Sequence, residues 1–316
     1  MSSLAIEVEG LTKTFGREEA PALAGVSFSV PTGTVCGLLG HNGAGKTTTV
    51  NILSTLIRPT SGRATVAGYD IGGQSAQVRA SIAVVGQFSG TDLLLTGREN
   101  LVLFGRLRGL RRAQAKARAD ELIEQFDLVG AADRQLATYS GGMRRRVDLA
   151  TALVVLPKVL FLDEPTTGLD PRGRRDMWAL VKRLALQGVT ILLTTQYLEE
   201  ADVLSDSIVV IDHGREIASG TAEELKQRVG ISYCQVTPAD PNDLPRIAEG
   251  LGGLDGIDID AETNSLSVVA SDGVATLVEV FRRVDALGVE LADISLRKPS
   301  LDEAFLHLTE RTAAQP

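Results

Sequence analysis

The feature that most narrows what this chain can fold into is the stretch Gly40-His41-Asn42-Gly43-Ala44-Gly45-Lys46-Thr47, which fits the phosphate-binding loop pattern GxxxxGK[ST]. By chance the pattern arises in roughly one or two of every hundred chains this long, so its setting matters. An apolar, strand-like run, Val35 to Leu39, precedes it, and Val50, Leu53 and Ile57 follow at helical spacing. Strand, glycine-rich turn and helix, in that order, let backbone N–H groups and a helix N-terminus converge on an anion. On this reading Gly40, Asn42, Gly43 and Gly45 shape the cradle, and the loop amides and the helix start, Thr48 included, hold the phosphates. Lys46 neutralises the β- and γ-phosphates, and the Thr47 hydroxyl ligates Mg²⁺. A nucleoside triphosphate is the expected ligand.

A second segment supplies the acids such a ligand needs. Lys158-Val159-Leu160-Phe161-Leu162-Asp163-Glu164 is a continuous apolar run ending in two carboxylates, the pattern of an interior parallel strand with its carboxyl end at a site. Asp163 is placed to hold Mg²⁺ through its water shell, and Glu164 to polarise the water that attacks the γ-phosphate. Tyr139-Ser140-Gly141-Gly142-Met143-Arg144-Arg145-Arg146 comes shortly before and opens a helical stretch. A serine and two glycines at a helix start offer a hydroxyl, free N–H groups and the positive end of the helix dipole to an anion.

In this order the three segments resemble the motifs of ATP-binding cassette proteins, with YSGGM where LSGGQ is commoner. The resemblance implies an α/β phosphate-loop ATPase with a helical subdomain, ATP with Mg²⁺ as cofactors, and catalytic roles for Lys46 and Glu164. It further implies that Ser140, Gly141 and Gly142 bind the γ-phosphate held by the opposite subunit of a head-to-tail homodimer. Phe15, in Lys13-Thr14-Phe15-Gly16, matches the aromatic that stacks on adenine. Gln87, in Val85-Gly86-Gln87, matches the glutamine that reaches Mg²⁺ and the membrane partner, and Asp170, in Thr167-Gly168-Leu169-Asp170, matches a loop across the dimer interface. Asp170 before Pro171 also reads as a turn initiator.

The narrower resemblance is to ATP-binding subunits of daunorubicin/doxorubicin-resistance-type exporters, and it covers essentially the whole chain. It rests on Gly141-Gly142-Met143-Arg144-Arg145-Arg146-Val147-Asp148-Leu149, on Leu193-Thr194-Thr195-Gln196-Tyr197-Leu198-Glu199-Glu200-Ala201-Asp202, and on Arg297-Lys298-Pro299-Ser300-Leu301-Asp302-Glu303-Ala304-Phe305-Leu306. Gln196 stands where the broader family has histidine, while His41, His213 and His307 lie elsewhere. A glutamine there belongs to the resistance-type subgroup and implies that Gln196 orients groups rather than exchanging a proton.

Composition bounds the partners. A formal net charge of -8 argues against a general nucleic-acid binder. Cys36 and Cys234 are far apart, which fits reduced thiols, Cys36 as a small buried side chain. The N-terminus carries Glu7 and Glu9 and does not read as a signal peptide, and the longest near-apolar stretch, Leu149 to Leu162, is broken by Pro157 and Lys158. Membrane contact is therefore expected through separately encoded transmembrane permease subunits, with this chain peripheral on the cytoplasmic face of the cell membrane.

The pattern predicts a cassette over residues 1–227, with a helical insertion near 97–157 and strands at Thr190 to Thr195 and Ser207 to Asp212. An accessory domain over 228–316 follows, with a βαββαβ order that indicates a small ferredoxin-like α+β unit and a terminal helix from Leu301. The basic run Arg106, Arg108, Arg111, Arg112, Lys116 and Arg118, like Arg144 to Arg146, reads as a solvated helix face or as an attraction for anionic lipid head groups or a partner. Three functions stay in view: the ATPase of an exporter of hydrophobic drugs such as anthracyclines or of complex lipids such as phthiocerol esters, a soluble cassette of translation or DNA maintenance, and a non-hydrolysing regulatory module. Ribosome-acting cassettes usually come paired in one chain, chromosome-type ones insert long coiled coils for which Gln87 to Ser140 is too short, and a non-hydrolysing module should lack Glu164. The exporter ATPase is the reading that remains.

Overall fold

The computed structural model describes residues 3–16, 20–86, 90–229, 232–260 and 263–305. It divides into two compact units, Met1–Ala222 and Glu223–Pro316, where the sequence placed the division near 227.

The first unit is built from β1 (Leu4–Lys13), β2 (Leu23–Pro31), β3 (Val35–Leu39), β4 (Ser61–Val66), β5 (Tyr69–Asp70), β6 (Ile82–Val85), β7 (Val159–Asp163), β8 (Thr190–Thr195), β9 (Ser207–Asp212) and β10 (Arg215–Gly220). Its helices are α1 (Lys46–Leu53), α2 (Ser75–Ser81), α3 (Gly97–Leu107), α4 (Arg112–Gln125), α5 (Gly141–Ala152), α6 (Pro171–Leu186) and α7 (Leu198–Leu204), and α8 (Ala222–Val229) spans the division. An antiparallel sheet runs in the order β2-β1-β4-β5, and a second sheet in the order β10-β9-β3-β8-β7-β6. In the second sheet every pair is parallel except β10 with β9.

The strand period of two decides which core each side chain enters. On β7, Leu160 and Leu162 pack with Leu101, Leu122 and Val147 from α3, α4 and α5, while Val159 and Phe161 pack with Ile6 and Val8 of β1 and Ile52 of α1. Both faces of the strand are therefore apolar, which is why its sequence reads as an unbroken hydrophobic run. Gly37 on β3 allows close approach of the segment after α7, since a Cβ there would stand 2.5 Å from Ser205 Oγ.

The helix after the phosphate loop is shorter than the spacing of Val50, Leu53 and Ile57 predicts. It stops at Leu53 with Ser54 as C-cap, because Thr55 takes φ +63° and turns the chain out of the helix. Ile57 still packs against the core, from outside α1.

The second unit contains β11 (Ser232–Pro238), α9 (Leu244–Gly250), β12 (Asp258–Asp260), β13 (Ser265–Ala270), α10 (Val274–Ala286) and β14 (Leu291–Arg297). Its antiparallel sheet has the order β12-β13-β11-β14, so each strand–helix–strand pair is split by a strand of the other, the ferredoxin-like arrangement. Residues 301–305 are helical, opened by reciprocal bonds in which Ser300 Oγ accepts from the Glu303 N–H at 3.1 Å and Glu303 Oε2 accepts from the Ser300 N–H at 2.6 Å. Arg297 adds a bidentate pair to the same carboxylate at 2.8 and 2.9 Å.

Phe161 is fully buried on a strand packed on both faces. Phe161→Ala should lower unfolding free energy by about 3–5 kcal/mol, read as a shift of the denaturant midpoint of the first unit, whereas an exposed control such as Leu186→Ala should shift it by no more than about 0.5 kcal/mol.

Candidate phosphate-binding and catalytic site

Parallel register brings the predicted residues to one edge. β3 pairs with β8 so that Leu39 faces Thr195, and β7 pairs with β8 so that Asp163 faces Thr194. Gly40, Glu164 and Gln196 therefore all leave the sheet at its carboxyl end, the usual place for a ligand in an α/β sheet. Gln196 is half-buried just past the end of β8.

The glycines of the loop are required by geometry. Gly45, the N-cap of α1, sits at φ +109°, and a Cβ there would stand 2.7 Å from the Ala22 carbonyl oxygen. At Gly40 a Cβ would come within 2.4 Å of the Ile211 carbonyl oxygen, and Gly43 takes φ +88°. Lys46 is 5% exposed, and its Nζ donates to the carbonyls of Gly40 at 2.8 Å and His41 at 3.1 Å. Burial draws the Lys46 ammonium below its ordinary pKa, against the opposing pull of Glu164 and Asp163. Its Nζ lies 3.7 Å from Glu164 Oε1, so a buried cation stands between the loop carbonyls and the second carboxylate of the acid pair.

Asp163 is buried and bonded to two hydroxyls. Thr47 Oγ1 donates to its carboxylate at 3.0 and 3.2 Å, and Thr194 Oγ1 donates to Oδ1 at 2.5 Å. Hydroxyl and carboxylate oxygens at the mouth of a phosphate cradle are the hard donors that suit Mg²⁺. Glu164 follows with φ +49°, a left-handed conformation uncommon outside glycine, held by its N–H donating to both Oγ1 and the carbonyl of Thr194 at 3.1 Å. Its Oε2 accepts from Thr167 Oγ1 at 3.2 Å.

The remaining predicted residues lie elsewhere or at the margin. Phe15 is 62% exposed, with Lys13 Nζ 5.0 Å from its ring centroid, over one face of the ring. Thr48 is half-buried in the first turn of α1, and Asn42 is exposed in the loop. Gln87 lies outside the described residues. Ser140 caps α5, its Oγ accepting from the Met143 N–H at 3.3 Å, and Asp170 caps α6, accepting from the Gly173 N–H at 2.7 Å. Ser140, Gly141, Gly142 and Asp170 line a separate cleft of about 730 Å³ that contains no phosphate-loop residue. One chain thus carries the cradle and the serine–glycine helix start in different places.

Arg144 to Arg146 are half-buried rather than a solvated face, whereas Arg106, Arg108, Arg111, Arg112 and Lys116 of the other basic run are exposed, as the sequence indicates. The half-buried Arg145 side chain donates to the carbonyls of Gly86 at 2.6 Å, Pro165 at 3.1 Å, Asp163 at 3.3 Å and Glu164 at 3.4 Å, bracing the acid pair from behind. Burial lowers its pKa from the usual guanidinium value. Arg144 donates to Leu136 and Ala137 carbonyls, and Arg146 pairs with Asp176 at 2.7 Å. In the α3–α4 run, Arg106, Arg108 and Arg118 also donate to backbone carbonyls. The sequence did not point to Arg145 or Thr194, because both act across strands and helices far apart in the chain.

The ABC transporter family profile matches residues 23–167, which hold the phosphate loop, the serine–glycine helix start and the acid pair. The chain is 54% identical over 310 residues to the doxorubicin resistance ATP-binding protein DrrA of Mycobacterium tuberculosis, covering 97% of this chain and 94% of that protein. It is 50% identical to the daunorubicin resistance ATP-binding protein DrrA2 of Streptomyces coeruleorubidus, covering 100% of this chain and 99% of that one. Among solved structures, a dimeric ATP-binding cassette in a post-hydrolysis state bound to ADP and Pi superposes with a TM-score of 0.63 at 25% identity, over 68% of this chain and 98% of that one. With near-complete coverage at half identity or better, the chain belongs to the ABC transporter family, as an ATP-binding ATPase subunit of the doxorubicin/daunorubicin-resistance type.

Proposed function

We propose that this chain uses Mg-ATP hydrolysis to drive outward transport of a hydrophobic, anthracycline-like compound through separately encoded membrane subunits, working as a head-to-tail pair of cassettes. The observation that carries the reading is the separation of two half-sites. Lys46, Asp163 and Glu164 converge at the sheet edge, while Ser140, Gly141 and Gly142 open into another cleft. A second copy turned end for end would complete each half with the other. That the relatives are named for doxorubicin and daunorubicin resistance favours a drug-like cargo over a lipid.

Among the described residues no helix is long and apolar enough to cross a membrane, so translocation falls to partner chains. A groove of about 370 Å³ beside Gly86 and Gly90, lined by Leu56, Ile82, Val84 and Phe104, offers them an apolar surface on the cassette. The cassette would then sit on the cytoplasmic face of the membrane, held there by its partners.

Within the site, Lys46 leaves the Gly40 and His41 carbonyls to neutralise the β- and γ-phosphates, and the loop N–H groups hold the same oxygens. Phe15 stacks on the adenine. Bound Mg²⁺, held by Thr47 and by Asp163 through water, would offset charge between the β- and γ-phosphates. Glu164 orients the attacking water and accepts its proton, and the Gln196 amide donates to a γ-phosphate oxygen while accepting from that water.

Lys46→Ala should weaken both nucleotide binding and hydrolysis, whereas Glu164→Gln should bind ATP normally and turn it over at least about a hundredfold more slowly; equal loss of binding in both would remove the assignment. The Glu164→Gln chain should also pass from monomer to dimer in light scattering when Mg-ATP is added, and a chain that stays monomeric with ATP bound contradicts shared sites. Gln196→Ala should slow hydrolysis roughly ten- to a thousandfold at nearly constant ATP affinity. If Gln196→His is active, its rate should gain a pH dependence near about 6.5 that the parent lacks, since imidazole titrates there and an amide does not.

The cargo is tested apart from the chemistry. Cells carrying this chain with its membrane subunits should retain less doxorubicin than cells carrying the Glu164→Gln form, and lipid at the cell surface should not change. Equal doxorubicin retention with altered surface lipid would instead assign a lipid cargo.

A further inference from the structure

On the phosphate loop, outside the groups that would touch nucleotide, His41 meets the turn between β9 and β10. His41 Nδ1 lies 2.7 Å from the Asn42 carbonyl oxygen, a partner to which it can only donate. The other ring nitrogen, Nε2, then presents a lone pair, yet it stands 2.9 Å from Asp212 Oδ1, a carboxylate oxygen. Two acceptors at this distance need a cation between them, either a proton or a metal ion. A third ligand is in reach: His213 Nε2 lies 3.9 Å from the same Asp212 oxygen, and the two imidazole centroids are 5.3 Å apart.

Among the described residues, one ligand atom from each of His41, Asp212 and His213 can be chosen so that all three lie within 4.8 Å of one another. Donor atoms about 2.0–2.1 Å from a tetrahedral ion sit about 3.3–3.4 Å apart. The separations here straddle that value, and the His213 side chain, 85% exposed, is free to close the gap. The surroundings are already set for it. His213 is held at φ +45°, a left-handed conformation, by a turn whose next residue, Gly214, donates its N–H to the Ala44 carbonyl of the loop at 3.0 Å. The Nδ1–H to Asn42 contact is the outer bond that fixes the tautomer of a metal-ligating histidine.

We propose that His41, Asp212 and His213 form a binding site for a single divalent cation of borderline character such as Zn²⁺, clamping the phosphate loop to the β9–β10 turn. Two imidazoles and one carboxylate with an open fourth position suit Zn²⁺ or Ni²⁺, whereas Mg²⁺ and Ca²⁺ require all-oxygen shells. The clamp would grip the residue whose carbonyl accepts from Lys46 Nζ at 3.1 Å, so the ion and the phosphate-loop lysine would be tied to the same residue.

The test uses the untagged full chain, stripped with chelator and free of nucleotide, titrated with Zn²⁺ by calorimetry and with Co²⁺ for its visible absorption. The expected result is one Zn²⁺ per chain, a Co²⁺ spectrum of tetrahedral intensity, and affinity at least about tenfold weaker in both His213→Ala and Asp212→Asn. His213 is exposed, so its removal leaves folding intact, checked by an unchanged circular dichroism spectrum; Zn²⁺ should raise the melting temperature of the parent and not of this variant. Absence of saturable Zn²⁺ binding would overturn the proposal. Equal affinity in the parent and both variants would overturn it as well, by placing the metal elsewhere.

Discussion

The site is organised around one buried carboxylate, Asp163. An ionised group taken out of water is tolerated only when it is bonded and compensated. Here the hydroxyls of Thr47 and Thr194 donate to it, and Lys46 lies close enough to interact with it electrostatically. Donors and acceptor come from different parts of the fold: the Thr47 hydroxyl from the first turn after the phosphate loop, the Thr194 hydroxyl from the neighbouring strand, and the accepting Asp163 carboxylate from the end of β7. Satisfying this one charge therefore fixes the loop, two strands and the start of a helix relative to each other. The parallel register of β3, β8 and β7 makes that possible, and the apolar packing on both faces of β7 keeps it from slipping.

What could be read from the sequence follows from how local each feature is. The phosphate loop is a continuous stretch whose glycines answer to backbone conformation, so its chemistry was visible in eight residues; the strand ending in Asp163 and Glu164 was legible because both its faces are buried. The βαββαβ order of the second unit was readable from alternating periodicities, and the observed strand order matches it. The helix after the loop was overextended to Ile57, because hydrophobic spacing cannot register a left-handed residue at Thr55.

Non-local features were hidden. Arg145 sits in a run of three arginines that reads as a charged surface, and only the fold shows its guanidinium reaching four carbonyls around the acid pair. Thr194 looks like an ordinary strand residue until its hydroxyl is seen on Asp163. His41 and the His213 turn are separated by most of the first unit in sequence, and no spacing rule joins them. Ser140 and Asp170 are helix caps within their own chain, so the resemblance, not local chemistry, pointed to a partner subunit.

The left-handed backbone at Glu164 has a bearing on how this protein can change. A non-glycine residue in that conformation stores about 1–3 kcal/mol of strain, which the two hydrogen bonds from its N–H to Thr194 help to hold. Glycine at this position would release the strain while deleting the carboxylate, and with it the ion pair to Lys46 and the bond from Thr167, so backbone conformation and side-chain bonding pull on one residue in opposite directions. With the water-orienting role proposed for Glu164, selection for thermal robustness alone would run against turnover at this position.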